Sequence, residues 1–402
     1  MIIGIDAHNL EGQRTGVGRV LINLLKEWSK FNLPRDIKFI LYFKKEIPID
    51  LDLPNSIFNK KILQPPFKIQ SNALFTHYLL PKAAKKDKID ILFCPGYIAP
   101  IFYKGKIALT LHDIIYEARP ELYNRPSFID KILLRKVSKI SARKAEIIFT
   151  CSEFSKNEIL KHYQVNPDKV FTIPLAADEC FRPVFNYWNK PSTRSAHSGN
   201  NYYSLNEASE SERSRRVKEK YQIKDKFIFF VGSIFNRRHL PEAIAAFEKI
   251  ELPDYQFLII GANHTSPFVD IDGLIGRINQ KLQRQAVLRK DYSSGEDLPI
   301  LYNAADLLVW LSDYEGFGLP ILESMACATA VITSPTASIP EVAGDSAIFV
   351  KDSKNINEIS QAIYNGLTNE ELRQDLIQKG LEQAKKFSWE RCARETLDTL
   401  LQ

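Results

Sequence analysis

Two doubly wound α/β domains are the fold class that this chain predicts, and three observations predict it. Short, nearly continuous apolar runs alternate with longer amphipathic ones. The alternation comes in two series, separated by a polar stretch. At 402 residues the chain also exceeds what one hydrophobic core usually serves. Apolar runs of this kind, alternating with helices, are strands of parallel sheets covered on both faces.

The first series reads IIGID (2–6), KFILYF (38–43), IDILFCP (89–95), IALTLHD (107–113), EIIFTCS (146–152) and VFTIPL (170–175). Helical patterns lie between several of these, such as VLINLLKEWSK (20–30) and FIDKILLRKVSKISARKA (128–145). The second series reads FIFFVG (227–232), QFLIIG (256–261), AVLRK (286–290), DLLVWLS (306–312), AVITS (330–334) and AIFVK (347–351). The seam is compositional. Residues 190–216 are rich in Ser, Asn and charge, with a single Leu and no Val, Ile, Phe or Met. Such a stretch cannot bury enough to offset its ordering entropy, so a flexible insertion is expected there, within a linker over 181–219. The domains are then 1–180 and 220–385. The closing segment, 386–402, contains FSWERCARETLDTLLQ, an amphipathic helix whose docking the pattern does not assign.

Composition narrows the class further. Hydrophobic residues make up 45% and charged residues 25%, which is ordinary for a soluble globular protein. A net charge of +6 on so long a chain does not argue for nucleic acid. The five cysteines form no C-x-x-C pair, which fits a reducing compartment and no structural zinc. The N-terminus MIIGIDAHNL lacks the pattern of a signal peptide, and no apolar run approaches the ~20 residues of a spanning helix. A cytoplasmic protein is expected.

In open α/β sheets ligands bind beyond the carboxyl ends of the strands, so the residues after each strand are the candidates. After the first strand, Gly16 and Gly18 of EGQRTGVGR let backbone approach a ligand, and a helix from about Val17 offers N–H groups to an anion. A lone G-x-G is weak, and a plain helix start explains it equally well. His112 ends the fourth apolar run and titrates near neutrality, although a satisfied structural histidine is the commoner case. Ser155 and Glu158 have capping-box spacing and read as a helix start. Arg237 and Arg238 precede a helix with Pro241 in its first turn, an arrangement suited to phosphate or to two solvated arginines.

The stretch SDYEGFGLPILES (312–324) carries more. Glu315 and Glu323 flank a Gly-Phe-Gly-Leu-Pro turn in which Gly316 and Gly318 permit φ > 0 and Pro320 starts a helix. Glu323 is expected in the first helical turn, where the positive helix end favours its charge. The N–H groups of residues 317–320 suit a pyrophosphate, and a carboxylate suits vicinal sugar hydroxyls. No D-x-D, H-E-x-x-H or clustered Asp/His set suggests a metal; G-K-[ST] and G-x-S-x-G are absent too.

SDYEGFGLPILESMA resembles the E-x(7)-E motif of retaining nucleotide-sugar glycosyltransferases of family 4. RTGVGRVLINLL, LTLHDIIY, FTCSEFSKNEI, FVGSIFNRR, TASIPEVAGDSAIFV and FSWERCARETL extend the resemblance over nearly the whole chain outside the insertion, nearest to mannosyltransferase-like members. The resemblance implies the GT-B fold: two Rossmann-like domains facing a cleft, with the C-terminal helix returning to the N-domain. It implies that Glu315 contacts the donor sugar and Glu323 the ribose hydroxyls. Phe317, Gly318 and Leu319 would present N–H groups to sugar and phosphate, and Arg237 and Arg238 would neutralise the pyrophosphate. Gly16 and Gly18 would close over it, and His112 would reach the sugar. Four departures stand out. Arg238 replaces the more usual Lys, Leu311 a Pro, and Ala328 and Ala330 a Gly and a Pro.

The activity implied is transfer of mannose or a related hexose from a GDP-, UDP- or dTDP-sugar to a glycan or lipid-linked acceptor, with retention and without cofactor or essential metal. An epimerase or phosphorylase on the same fold, or a catalytically silent binding subunit, remains an alternative. A dehydrogenase is disfavoured, because neither domain carries a full G-x-G-x-x-G. One feature concerns location. The 128–145 pattern sets Lys131, Arg135, Lys136, Lys139, Arg143 and Lys144 beside Ile129, Ile132, Leu133, Val137 and Ile140. Such a helix can lie on the anionic inner face of a membrane, or pack its apolar face on the sheet.

Overall fold

The computed structural model describes residues 1–12, 14, 16–65, 71–123, 128–184, 204–224 and 226–402. Two compact units emerge: Met1–Ala176 with Phe387–Gln402, and Ala177–Lys386.

The first unit holds seven parallel strands: β1 (Ile2–Asp6), β2 (Lys38–Phe43), β3 (Phe58–Ile62), β4 (Ile91–Cys94), β5 (Lys106–Thr110), β6 (Ile147–Thr150) and β7 (Val170–Thr172). Their order is β3-β2-β1-β4-β5-β6-β7, so the direction of winding reverses between β1 and β4. The six expected runs all form strands. β3 is an addition. Its sequence FNKKI is too polar to read as a buried strand, but it pairs with β2 alone at the sheet edge, where lysines deter further pairing.

The C-terminal helix Trp389–Leu400 belongs to this unit. Ser388 caps it by accepting from the Arg391 N–H, and Cys392, Ala393, Thr396, Leu397 and Leu400 are buried. It packs on the helix Gly16–Lys30, where the Trp28 Nε1–H donates to the Ala393 carbonyl at 2.8 Å. Trp28 in turn stacks on Phe39 of β2, with ring centroids 5.1 Å apart. The helix Glu153–Tyr163 starts as expected, but its cap is Ser152, which accepts from the Ser155 N–H at 3.1 Å. Ser155 lies inside the helix, where its hydroxyl donates to the His112 carbonyl.

The second unit holds six parallel strands: β8 (Lys226–Val231), β9 (Tyr255–Ile260), β10 (Val287–Lys290), β11 (Leu307–Trp310), β12 (Ala330–Thr333) and β13 (Ala347–Phe349). Their order is β10-β9-β8-β11-β12-β13, with the reversal between β8 and β11. Part of the expected flexible insertion is a helix, Ser204–Lys220. Polar composition suggested otherwise, but Glu212–Arg216 and Arg215–Glu219 form i,i+4 ion pairs, and Val217 and Tyr221 are buried. Tyr221 and Lys220 also reach Asp297. Residues 190–203 of that stretch lie outside the described residues.

The departure at Ala328 has a backbone consequence. The helix Leu319–Ala326 is followed by Cys327 and then Ala328, which takes φ 59°. This is the position after a helix where glycine is usual, since a Cβ is strained there. Replacing it should relieve that strain, less what the more flexible glycine costs in the unfolded chain. Ala328→Gly is therefore expected to stabilise the protein by roughly 0.5–1 kcal/mol in urea unfolding. A loss of stability would contradict the strain.

Candidate functional site

The loops after β8 and β11 leave adjacent strands at the point where the winding of the second sheet reverses. They are stitched together. The Asp313 N–H donates to the Arg237 carbonyl at 2.9 Å. The Trp310 Nε1–H donates to the Val231 carbonyl at 2.9 Å, tying the strand ends beneath. Arg238 crosses between the loops, with Nε donating to Glu315 Oε1 at 3.0 Å and Nη2 to Oε2 at 3.4 Å. Its Nη1 donates to the Ser233 carbonyl at 2.8 Å, and its guanidinium lies 4.8 Å over the Trp310 ring. A lysine has no planar face, and its donors radiate from a single atom rather than spreading over a fork that spans all of these contacts. The guanidinium of Arg237 stacks 4.2 Å from the Phe235 ring and lies 4.0 Å from Glu315.

Glu315 is thus held by two cations, with the side chains of Arg237, Arg238 and Glu315 each only 12% exposed. Ser312 donates its hydroxyl to Glu315 Oε1 at 2.9 Å. Burial alone would raise the Glu315 carboxyl. The charges of Arg238 and Arg237, with hydrogen bonds from Arg238 and Ser312, outweigh it and hold the group below the usual carboxylate range. Two guanidiniums against one carboxylate leave the cluster with one surplus positive charge.

The turn that follows is also fixed. Ser338 donates to the Glu315 and Phe317 carbonyls at 2.9 and 3.0 Å. Gly318 takes φ 112°, a conformation that glycine alone adopts cheaply, and caps the helix that begins at Leu319 with Pro320 in its first turn. Glu323 lies one residue beyond that first turn, correcting the expected placement. It is 2% exposed, and Tyr302 donates its hydroxyl to Oε2 at 2.9 Å. The two glutamates therefore stand in different surroundings: Glu315 in an arginine cluster, Glu323 within the packed helix.

The first unit carries the remaining candidates. Gly16 opens the helix Gly16–Lys30, and a Cβ there would meet open space. A Cβ on Gly18 would come within 2.3 Å of the Asn9 carbonyl, so packing alone demands that glycine. Gln13 and Thr15 of the same loop lie outside the described residues. His112 is half-buried at the carboxyl end of β5, edge-on to Tyr97 at 6.2 Å. Burial pushes its imidazole down to about 4, with a hydrogen bond to the Pro95 backbone opposing, so the ring is neutral at physiological pH.

Sequence reasoning missed several of these groups. Ser338, Tyr302 and Trp310 fix the site through contacts distant in sequence, and Ser312 does so from only three residues before Glu315. The pair of Asp6 and His8, Oδ1 to Nδ1 at 2.6 Å, stands at the carboxyl end of β1. The i,i+2 spacing after a strand was its signal. Among the described residues no three His, Cys, Asp or Glu side chains converge as metal ligands.

With Arg238 replaced, Glu315 would be buried facing only the Ser312 hydroxyl and the more distant Arg237. Arg238→Met should cost about 3 kcal/mol in urea unfolding at pH 7. Because the native Glu315 carboxyl is depressed, its contribution is present above the unfolded carboxylate range and lost as pH falls through the native value. The gap between this variant and the parent protein should therefore narrow in acid; a constant gap would contradict the ion pair.

Comparison with known proteins now adds to the geometry. Residues 14–179 match the family described as Glycosyltransferase Family 4, and residues 211–383 match Glycosyl transferases group 1. The chain is 28% identical to O-antigen chain mannosyltransferase B of Escherichia coli over 404 residues, covering 96% of this chain and 95% of that one. The structure resembles that of HepE from Anabaena in complex with UDP and glucose, with TM-score 0.69 and 15% identity over 99% and 98% of the chains. It also resembles sucrose-phosphate synthase from Thermosynechococcus elongatus, with TM-score 0.71 and 16% identity over 99% and 98%.

Proposed function

Because the chain belongs to the family 4 glycosyltransferases of GT-B fold, we propose that it moves mannose or a related hexose from a nucleoside-diphosphate sugar to a glycan or lipid-linked hydroxyl, with retention and without a metal. The observation that carries this reading is the surplus positive charge of Arg237, Arg238 and Glu315 at the switch point of the second sheet. The leaving group is a nucleoside diphosphate, so the transition state gathers negative charge on phosphate oxygens. Fixed guanidiniums and the backbone N–H groups of Phe317, Gly318 and Leu319 answer that charge without reorganising.

In this reading the bond from the anomeric carbon to the phosphate oxygen breaks as the acceptor oxygen bonds to the same face. The acceptor proton passes to the departing phosphate. Glu315, fixed by Arg238 and Ser312, aligns the donor sugar. Glu323, with one oxygen turned to Tyr302, accepts from the ribose hydroxyls. His112, neutral at physiological pH, hydrogen-bonds a sugar hydroxyl. The similarity to an O-antigen mannosyltransferase favours surface polysaccharide as the product.

The helix Phe128–Lys144 supports a further part of the reading. Among its described side chains, the small residues Ser138, Ser141 and Ala142 are buried. Leu133 and Ile140 are 52% and 47% exposed, on one face with Lys136 and Arg143. Lys144 Nζ donates to the Ile101 carbonyl, which brings the neighbouring Phe102, 76% exposed, to the end of that helix. Apolar and basic residues interleaved on an exposed face suit an anionic bilayer, and so a lipid-linked acceptor.

Glu315→Ala is expected to lower transfer about 1,000-fold or more while circular dichroism stays native. Wild-type turnover from that variant would sink the assignment. A thermal-shift screen against GDP-, UDP- and dTDP-sugars identifies the donor by its stabilisation. Vesicles rich in phosphatidylglycerol should bind the protein at low salt, and Leu133→Glu with Ile140→Glu should release it. No binding by the parent protein would refute the membrane contact.

A further inference from the structure

The residue after the arginine pair does something that the transfer chemistry does not require of it. His239 is 3% exposed, yet takes φ 46° and ψ 35°, a backbone conformation that costs a non-glycine residue energy. It ends the Asn236–Arg238 turn and caps the helix Leu240–Lys249. Its Nε2–H donates to Asp313 Oδ1 at 2.8 Å, and its Nδ1 lies 3.7 Å from Glu242 Oε1. Asp313 is itself bonded through its backbone N–H to the Arg237 carbonyl, and lies two residues before Glu315. The turn 237–239 and the loop 313–315 thus share three rungs: Arg237 carbonyl to Asp313 N–H, Arg238 to Glu315, and His239 to Asp313.

We propose that His239, as an imidazolium, is a positioning residue that latches the Arg237–Arg238 turn onto the Glu315 loop and so sets the affinity for the donor's diphosphate. The proposal rests on the reading of that cluster as the diphosphate site. Asp313 faces the ring from the loop after β11, and Glu242 from its own helix. Lys354 acts on Glu242, and Arg237 and Arg238 turn their charge to Glu315. Burial favours the neutral ring, but the two carboxylates outweigh it and raise the group to about 9. A raised value means that the latch is complete at neutral pH and is lost as pH rises through about 9.

The test uses the full chain, GDP and UDP as probes, and calorimetry from pH 7 to pH 10. Asparagine tolerates the same backbone and offers Asp313 a neutral donor. The parent protein should bind the better probe about tenfold more weakly above the His239 transition. His239→Asn should lose affinity with rising pH only as far as the probe's own base ionises, without the additional loss seen in the parent protein, and His239→Ala should bind about tenfold more weakly at pH 7. Equal pH profiles for the parent protein and His239→Asn, or full affinity in folded His239→Ala, would overturn the latch. Tryptophan emission reads the turn without any ligand, because Trp310 lies under Arg238. A transition near pH 9 that vanishes in His239→Asn supports the latch even if neither nucleotide binds, an outcome that would instead remove the diphosphate-site reading. An emission trace flat in pH for the parent protein would overturn the latch independently.

Discussion

The ion pair of Arg238 and Glu315 is the contact on which the second unit's site depends. It joins the loops of two neighbouring strands where the winding reverses. A buried carboxylate needs a cation, and a buried guanidinium needs acceptors. Each partner here is satisfied: Glu315 by Arg238, Arg237 and Ser312, and Arg238 by Glu315, Ser233 and the Trp310 face. The arrangement fixes both loops relative to the sheet and leaves one positive charge uncompensated. That remainder is what an incoming diphosphate would meet.

The backbone around the pair carries strain at chosen points. Gly318 and His239 both adopt positive φ, one at each side of the site. Glycine does so cheaply; histidine does not, and its ion pair with Asp313 offsets the cost. Ala328 adopts positive φ too, without a comparable contact to a charged group. The contrast separates a strained residue tied to the site from one that merely follows a helix.

Most of the fold was legible because buried parallel strands announce themselves as apolar runs, and every such run became a strand. What escaped was polar structure. β3 carries two lysines at an edge, and the helix Ser204–Lys220 relies on i,i+4 charge pairs rather than an apolar stripe. Within the site, Arg237, Arg238, Glu315 and Gly318 could be picked out because they follow strands and break local rules. Ser338 and Tyr302 could not, since a serine or tyrosine in a helix-rich stretch has no pattern that points to a partner some twenty residues away. His239 was passed over for the same reason: its carboxylate lies 74 positions on.

The proposed mechanism places bond breaking and bond making on one face of the sugar, with the arginine cluster holding the departing diphosphate there. The anomeric configuration of the product tests this most directly. NMR of the glycoside formed from an α-configured nucleotide sugar should show an α linkage. A β linkage would mean that the acceptor attacks from the opposite face, and would contradict the account.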